Sequence, residues 1–220
     1  MSELYVDSIE KAYDNKKILT DVFLSCKRGE VKGLIGRNGS GKSTLLKVIF
    51  GVESAEYKFV KVGNKLVKTV GDTNGLISYL PQQHFLPNGV KIKTIIKLFL
   101  VKQYSRKLIN NEFVKPLLGK TSKQLSSGQR RIVEILLIVH SKSKFILLDE
   151  PFNGVSPILK DYIVECINAV KHEKGVVITD HDYENVLNLA DNIVFLKDGF
   201  LREIKDRKQL VELGYFVKLD

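Results

Sequence analysis

Gly36-Arg-Asn-Gly-Ser-Gly41-Lys42-Ser43 is the stretch on which the fold turns. It fits the P-loop pattern G-x-x-x-x-G-K-[ST], and its flanks give the pattern weight. Val31 to Ile35 before it is a β-rich run. Lys42 to Phe50 after it sets Leu45, Leu46, Ile49 and Phe50 on one helical face. A strand, a glycine-rich turn and a helix N-terminus together make an anion cradle. Glycines let the backbone fold round phosphate with its N–H groups inward, and the helix end adds about half a positive charge. Gly36, Asn38, Gly39, Ser40, Gly41 and Thr44 are then phosphate-side positions. Lys42 reaches the distal phosphates of a nucleotide, and the Ser43 hydroxyl ligates Mg²⁺. The plain alternative is a glycine-rich turn that caps a helix.

Phe145-Ile-Leu-Leu-Asp149-Glu150 supplies the partner element. An apolar strand buried on both faces delivers its last side chains to the carboxyl edge of the sheet, where α/β folds bind ligands. Asp149 is placed to hold Mg²⁺, directly or through water. Glu150 is placed to orient or deprotonate an attacking water. Taken alone, two acids at a strand end are equally well a solvated surface.

Around these two anchors the chain reads as alternating elements. Leu4 to Ile9 and Ile18 to Cys26 are strands parted by an Asp14-Asn15 turn, and Arg28-Gly29 marks the next turn. Phe59-Val-Lys-Val and Leu66-Val-Lys-Thr flank Gly63-Asn64-Lys65 as a hairpin, and Leu76 to Leu80 is a strand ending at Pro81. Val90 to Leu118 turns helical and basic, and Arg130 to His140 is a further helix. Then follow helix 157–170, strand 176–179, helix 183–189, strand 193–196, a hairpin at Asp198-Gly199, and a last helix over Gln209 to Leu213. Strand–helix alternation predicts a mainly parallel sheet with helices on its faces.

A P-loop with such a strand is common to many nucleoside triphosphatases, and further stretches narrow the choice. Leu125-Ser126-Ser127-Gly128-Gln129 resembles the LSGGQ signature of ABC ATPases. Pro81-Gln82 after a strand resembles their Q-loop, and His181 in Ile178-Thr-Asp-His-Asp182 resembles their switch histidine. Tyr13 stands where their adenine-stacking aromatic is found. Order and spacing agree from about Tyr13 to Leu201, and Phe145 to His181 looks most like the lipopolysaccharide-export and branched-chain amino-acid branches. The resemblance implies one ABC-type domain over residues 1–220. Its P-loop sheet is flanked by helices, with an N-terminal antiparallel β part and a helical subdomain inserted at about 86–132. It implies ATP and Mg²⁺ as cofactors, with Gln82 contacting Mg²⁺ or the water and sensing a membrane partner. His181 would hold the γ-phosphate and Glu150 in register. Ser126 and the Gly128 backbone would reach ATP bound to an opposite subunit, in a head-to-tail dimer. Without those companions His181 is a core or surface histidine, and Ser126 or Ser127 an ordinary helix cap. Two departures stand out. Ser127 replaces the first signature glycine, and Ser156 occupies the position of the D-loop aspartate, where Ser156-Pro157 also reads as an N-cap followed by proline. His84, His140 and His172 match nothing in the family pattern.

Composition bounds the rest. In 220 residues no apolar run approaches the ~18 that cross a bilayer. The first residues carry acids where a secretory signal carries bases, so another chain must supply any membrane spans. The ABC resemblance then implies a cytoplasmic protein, peripheral on the inner face of the membrane, with a separate integral membrane subunit as partner. Cys26, on the apolar side of Val22, Leu24, Cys26, reads as a buried reduced thiol. The net charge of +10 is local: Lys91 to Arg131 holds eleven Lys and Arg against the single acid Glu112, leaving 24 bases and 24 acids elsewhere. A guanine reader is missing, since Asn64-Lys65-Leu66-Val67 has no aspartate, which argues against a GTPase. A soluble ABC ATPase, such as one serving iron–sulfur cluster assembly, stays open as the alternative. Nucleic acid is not the expected partner, because the bases of the segment alternate with Leu, Ile and Phe at helical spacing.

Overall fold

The computed structural model describes residues 2–181, 183–212 and 215. Its first sheet is antiparallel, with strands in the order β2-β1-β4-β5, where β1 is Glu3–Tyr13, β2 Lys16–Lys27, β4 Tyr57–Val62 and β5 Lys65–Leu66. Leu4, Val6 and Ile9 of β1 and Leu19, Val22, Leu24 and Cys26 of β2 are buried. The Cys26 thiol lies 3.7 Å from the Val176 carbonyl oxygen. Asp14 and Asn15 make the β1–β2 turn with φ of 47° and 68°, the left-handed region that short polar residues tolerate.

The second sheet runs β10-β9-β3-β8-β7-β6, with β3 at Val31–Ile35, β6 at Ile77–Leu80, β7 at Phe145–Asp149, β8 at Gly175–Thr179, β9 at Asn192–Lys197 and β10 at Phe200–Ile204. All neighbours are parallel except the β9–β10 hairpin. β3, β7 and β8 are buried along their whole length, and for that reason their sequences run apolar instead of alternating. Both faces of this sheet pack. Phe145 and Leu147 join one core with α1 (Lys42–Phe50) and the antiparallel sheet. Ile146 and Leu148, pointing the other way, join a second core with α4 (Ser127–Val139) and α5 (Pro157–Val170). α6 (Tyr183–Leu189) packs on β3, and α7 (Arg207–Glu212) follows β10.

Several boundaries differ from the sequence reading. The helical stretch from Val90 divides into α2 (Ile92–Phe99), α3 (Lys102–Ile109) and a 3₁₀ turn at Lys115–Leu117. The backbone is extended at Leu100 and Val101, which parts α2 from α3. The Asn111 side chain accepts from the Phe113 and Val114 N–H groups at 3.0 and 3.2 Å, a local turn that competes with helix. The expected strand from Leu66 keeps only Lys65–Leu66 before a 3₁₀ turn at Val70–Thr73. α7 begins two residues before the expected Gln209; Leu213, its expected end, and Asp182 of the switch stretch lie outside the described residues.

Candidate functional site

The chain crosses from β3 to α1 through the glycine-rich loop, and two glycines there are required by geometry. Gly41 caps α1 at φ 105°, and a Cβ on it would sit 2.8 Å from Ile18 Cγ2. A Cβ on Gly36 would meet the Leu196 carbonyl oxygen and Ser40 Oγ, both at 2.6 Å. The N–H groups of residues 41–44 have no acceptor within the helix, Leu45 N being the first to bond back, to the Gly41 carbonyl oxygen at 2.8 Å, so the loop presents donors and the positive end of a helix dipole to one place.

That place is a cleft of about 470 Å³ lined by Tyr13, Ile18, residues 38–44, Gln82, Glu150 and His181. The β1–β2 hairpin brings in Tyr13, a residue 43% exposed at the rim, with the Lys11 ammonium 4.7 Å from its ring centre. Gly36 sits at the root of the loop, where its carbonyl oxygen accepts from Lys42 Nζ at 2.8 Å. Burial pushes the Lys42 ammonium below the usual lysine range, and Glu150, Asp149 and Asp180 work against that.

Asp149 lies under the loop, fully buried. Ser43 Oγ donates to its Oδ1 at 2.9 Å, and Tyr79 OH donates to its Oδ2 at 2.9 Å. Burial raises the Asp149 carboxyl above the ordinary range, opposed by these two bonds. Tyr79, on β6 beside β7, was not among the residues expected from the motifs. Its phenol is pushed well above the usual tyrosine value by burial first and the Asp149 charge second, so it stays a donor.

Glu150 follows at the mouth of the strand with φ 50°, an uncommon left-handed conformation for a non-glycine residue. Gln82 Nε2 donates to Glu150 Oε2 at 2.8 Å. His181 Nδ1 lies 3.9 Å from that same oxygen and 3.2 Å from Asp180 Oδ1. The Gln82, Glu150 and His181 side chains, carried on loops after three neighbouring strands, therefore converge above the P-loop.

Ser126 and Gly128 do not line this cleft. Ser126 is the N-cap of α4: its Oγ accepts from Gln129 N at 3.2 Å, and Gln129 Oε1 accepts from Ser126 N at 3.2 Å, a reciprocal capping box. Ser127, the substituted glycine, bonds His84 Nε2 at 3.1 Å, and His84 Nδ1 bonds Glu134 Oε2 at 2.9 Å. His84 thus has two side-chain partners that no motif pointed to. Ser156 does stand at the N-cap of α5 with Pro157 next, yet its side chain makes no capping bond, so the expected cap is backbone geometry alone.

The profile of the ABC transporter family matches residues 19–153. The chain is similar to the lipopolysaccharide export system ATP-binding protein LptB of Haemophilus influenzae, 30% identical over 213 residues that cover 90% of this chain and 88% of that protein. It is similar to the ABC transporter ATP-binding protein YtrB of Bacillus subtilis, 26% identical over 212 residues, covering 93% and 72%. A solved ATP-binding subunit of an ABC transporter aligns with a TM-score of 0.84 over 96% of this chain and 93% of that one; at 22% identity this likeness is one of fold.

Proposed function

Because the chain belongs to the ABC transporter family, we propose that it is the subunit that binds and hydrolyses ATP, as a head-to-tail dimer, to drive a separate membrane-spanning partner. The observation that carries this reading is the convergence of Gln82, Glu150 and His181 over the P-loop cleft. The residues present fit Mg²⁺. The Ser43 hydroxyl and Asp149 carboxylate are 2.9 Å apart, and the Gln82 amide oxygen adds a third hard donor of the kind magnesium takes. When bound, Mg²⁺ would neutralise charge on the β- and γ-phosphate oxygens.

The chain's own groups divide the remaining work. The N–H groups of Gly39 and of residues 41–44 donate to phosphate oxygens, that of Ser40 being bonded to the Arg37 carbonyl oxygen at 3.1 Å, and Lys42 supplies a mobile point charge, turning from the Gly36 carbonyl to the γ-phosphate. Tyr13 offers a ring face to the base. Glu150 accepts a proton from the attacking water, which Gln82 orients by sharing the Glu150 carboxylate. His181 holds the γ-phosphate side of that arrangement. Ser126 and Gly128 serve the site of the opposite subunit, consistent with their position outside this chain's own cleft.

Among the described residues no helix is long and apolar enough to cross a membrane, so on this reading the protein works from the inner face of the membrane against another chain. Residues 86–132, the proposed helical subdomain, offer the contact. Nine of the eleven bases between Lys91 and Arg131 are exposed, and an anionic leaflet attracts each by about 1 kcal/mol. Glu150→Gln tests the core of the reading. An amide keeps the shape but takes no proton, so this variant should bind ATP, hydrolyse it poorly and accumulate as an ATP-bound dimer. Normal turnover would remove Glu150 from its role.

A further inference from the structure

One of the eleven bases of the basic segment is not on its surface. Arg131, on the second turn of α4, is 2% exposed. Two of its guanidinium nitrogens donate to three backbone carbonyls: Nη1 to Pro81 at 2.7 Å, and Nη2 to Asp149 at 2.7 Å and Glu150 at 2.8 Å. Its charge is paired with Glu134, one turn on and fully buried, at 3.7 Å. Glu134 in turn accepts from the Phe85 and Leu86 N–H groups at 3.0 and 3.4 Å and bonds His84. The pair therefore grips the loop bearing Gln82 at both ends, by the carbonyl of Pro81 and the amides of 85 and 86. With the same guanidinium it grips the end of β7.

Stability does not account for such a pair, since buried ion pairs are often matched or bettered by apolar residues of the same volume. What Arg131 binds is more telling. Its carbonyl acceptors flank Gln82 on one side and belong to Asp149 and Glu150 on the other. Glu150 carries the strained φ of 50°, and strain of that kind persists only where surrounding bonds over-determine it. We infer that Arg131, braced by Glu134, is a positioning residue for hydrolysis: it sets the spacing of Gln82 and Glu150 by holding the two backbones that carry them. The inference rests on the reading of Glu150 and Gln82 given above. It adds a residue that touches neither nucleotide nor water.

The test is Arg131→Lys, which keeps a positive charge beside Glu134 and loses the planar fork. Steady-state hydrolysis should show kcat lowered about tenfold or more, because small displacements of catalytic groups are costly. KM for ATP should stay within about twofold, since the P-loop contacts are untouched. In a Gln82→Ala background the same substitution should change kcat by no more than about twofold, the pair it positions being already gone. Should Arg131→Lys fail to fold, Arg131→Met/Glu134→Gln leaves no unpaired buried charge and carries the same expectation. An unchanged kcat, a joint loss in kcat and ATP affinity, or an undiminished effect in the Gln82→Ala background would overturn the role. Glu150→Gln in the same assay separates the two ideas. If it loses turnover while Arg131→Lys does not, Arg131 alone is misassigned; if Glu150→Gln turns over normally, both fall.

Discussion

His140 ends α4 and is packed away from solvent, its ring stacked on Tyr104 with centroids 5.8 Å apart and planes at 19°. Burial, and then the charges of Lys107 and Lys174, lower its pKa from 6.5 to about 4. The folded protein therefore refuses a proton that the unfolded chain accepts once the pH falls below about 6.5. Between 6.5 and 4 the unfolded state binds more protons, so stability falls as pH falls, and above 6.5 the residue contributes no slope. The full gap of about 2.5 units corresponds to roughly 3 kcal/mol, reached near pH 4; at pH 5 the loss is about 2 kcal/mol. His140→Phe keeps an aromatic ring against Tyr104 and removes the titration. Urea unfolding of parent and variant at pH 7.5 and pH 5 isolates the effect, because every other titrating group cancels in the comparison. The variant should lose about 2 kcal/mol less than the parent between the two pH values. Equal losses would show that the ring is reached by water or protonated in place, and the reasoning from burial would fail.

Three further outcomes follow from the same geometry. Tyr79→Phe removes the phenol that donates to buried Asp149; it should cost about 1.5 to 3 kcal/mol in urea unfolding and raise the Mg²⁺ concentration for half-maximal hydrolysis, whereas an unchanged magnesium dependence would detach Tyr79 from the site. Ser156→Asp restores the family carboxylate at a side chain that makes no capping bond, so Tm should hold while hydrolysis speeds up and becomes more cooperative in ATP; equal or slower hydrolysis by a stable variant would mean that this chain does not use the carboxylate. Exchanging several exposed lysines between Lys91 and Lys123 for glutamine should weaken association with membranes and spare ATP binding, and a loss of nucleic-acid binding instead would redirect the reading of that segment.

The parts legible in the sequence are those where local chemistry and tertiary packing agree. β3, α1, α5 and α6 have the expected ends. A strand buried on both faces, a glycine at each end of Lys42–Phe50 and the Ser156-Pro157 entry all mark their boundaries locally. The grouping of Gln82, Glu150 and His181 is expected from the ABC resemblance, and its physical basis is that three neighbouring strand ends of one parallel sheet share an edge. Arg131, Glu134, His84 and Tyr79 were not readable. Arg131 reaches residues 18, 19 and 50 positions away, and Tyr79 reaches one 70 away. Only the β6–β7 register and the seating of α4 determine those distances. Composition counts Arg131 with the basic segment without recording which side of the helix carries it.

The signature serine shows how two readings of one residue can both hold. In capping α4, Ser126 Oγ acts as an acceptor toward Gln129 N. A hydroxyl has one donor besides its acceptor lone pairs, so the cap leaves the O–H for another task while fixing where the oxygen sits. Gly128 lies against the Gly154 carbonyl oxygen, which a Cβ there would approach to 3.2 Å, and Ser127 is tied back to His84. The turn is therefore held from inside the chain by the loops that follow Gln82 and Glu150, while Ser126 itself is exposed and outside the P-loop cleft. On the proposed function, a donor built this firmly and kept away from its own nucleotide site completes the site of a second copy. On the same reading, closure of that interface would depend on the loops that carry Gln82 and Glu150.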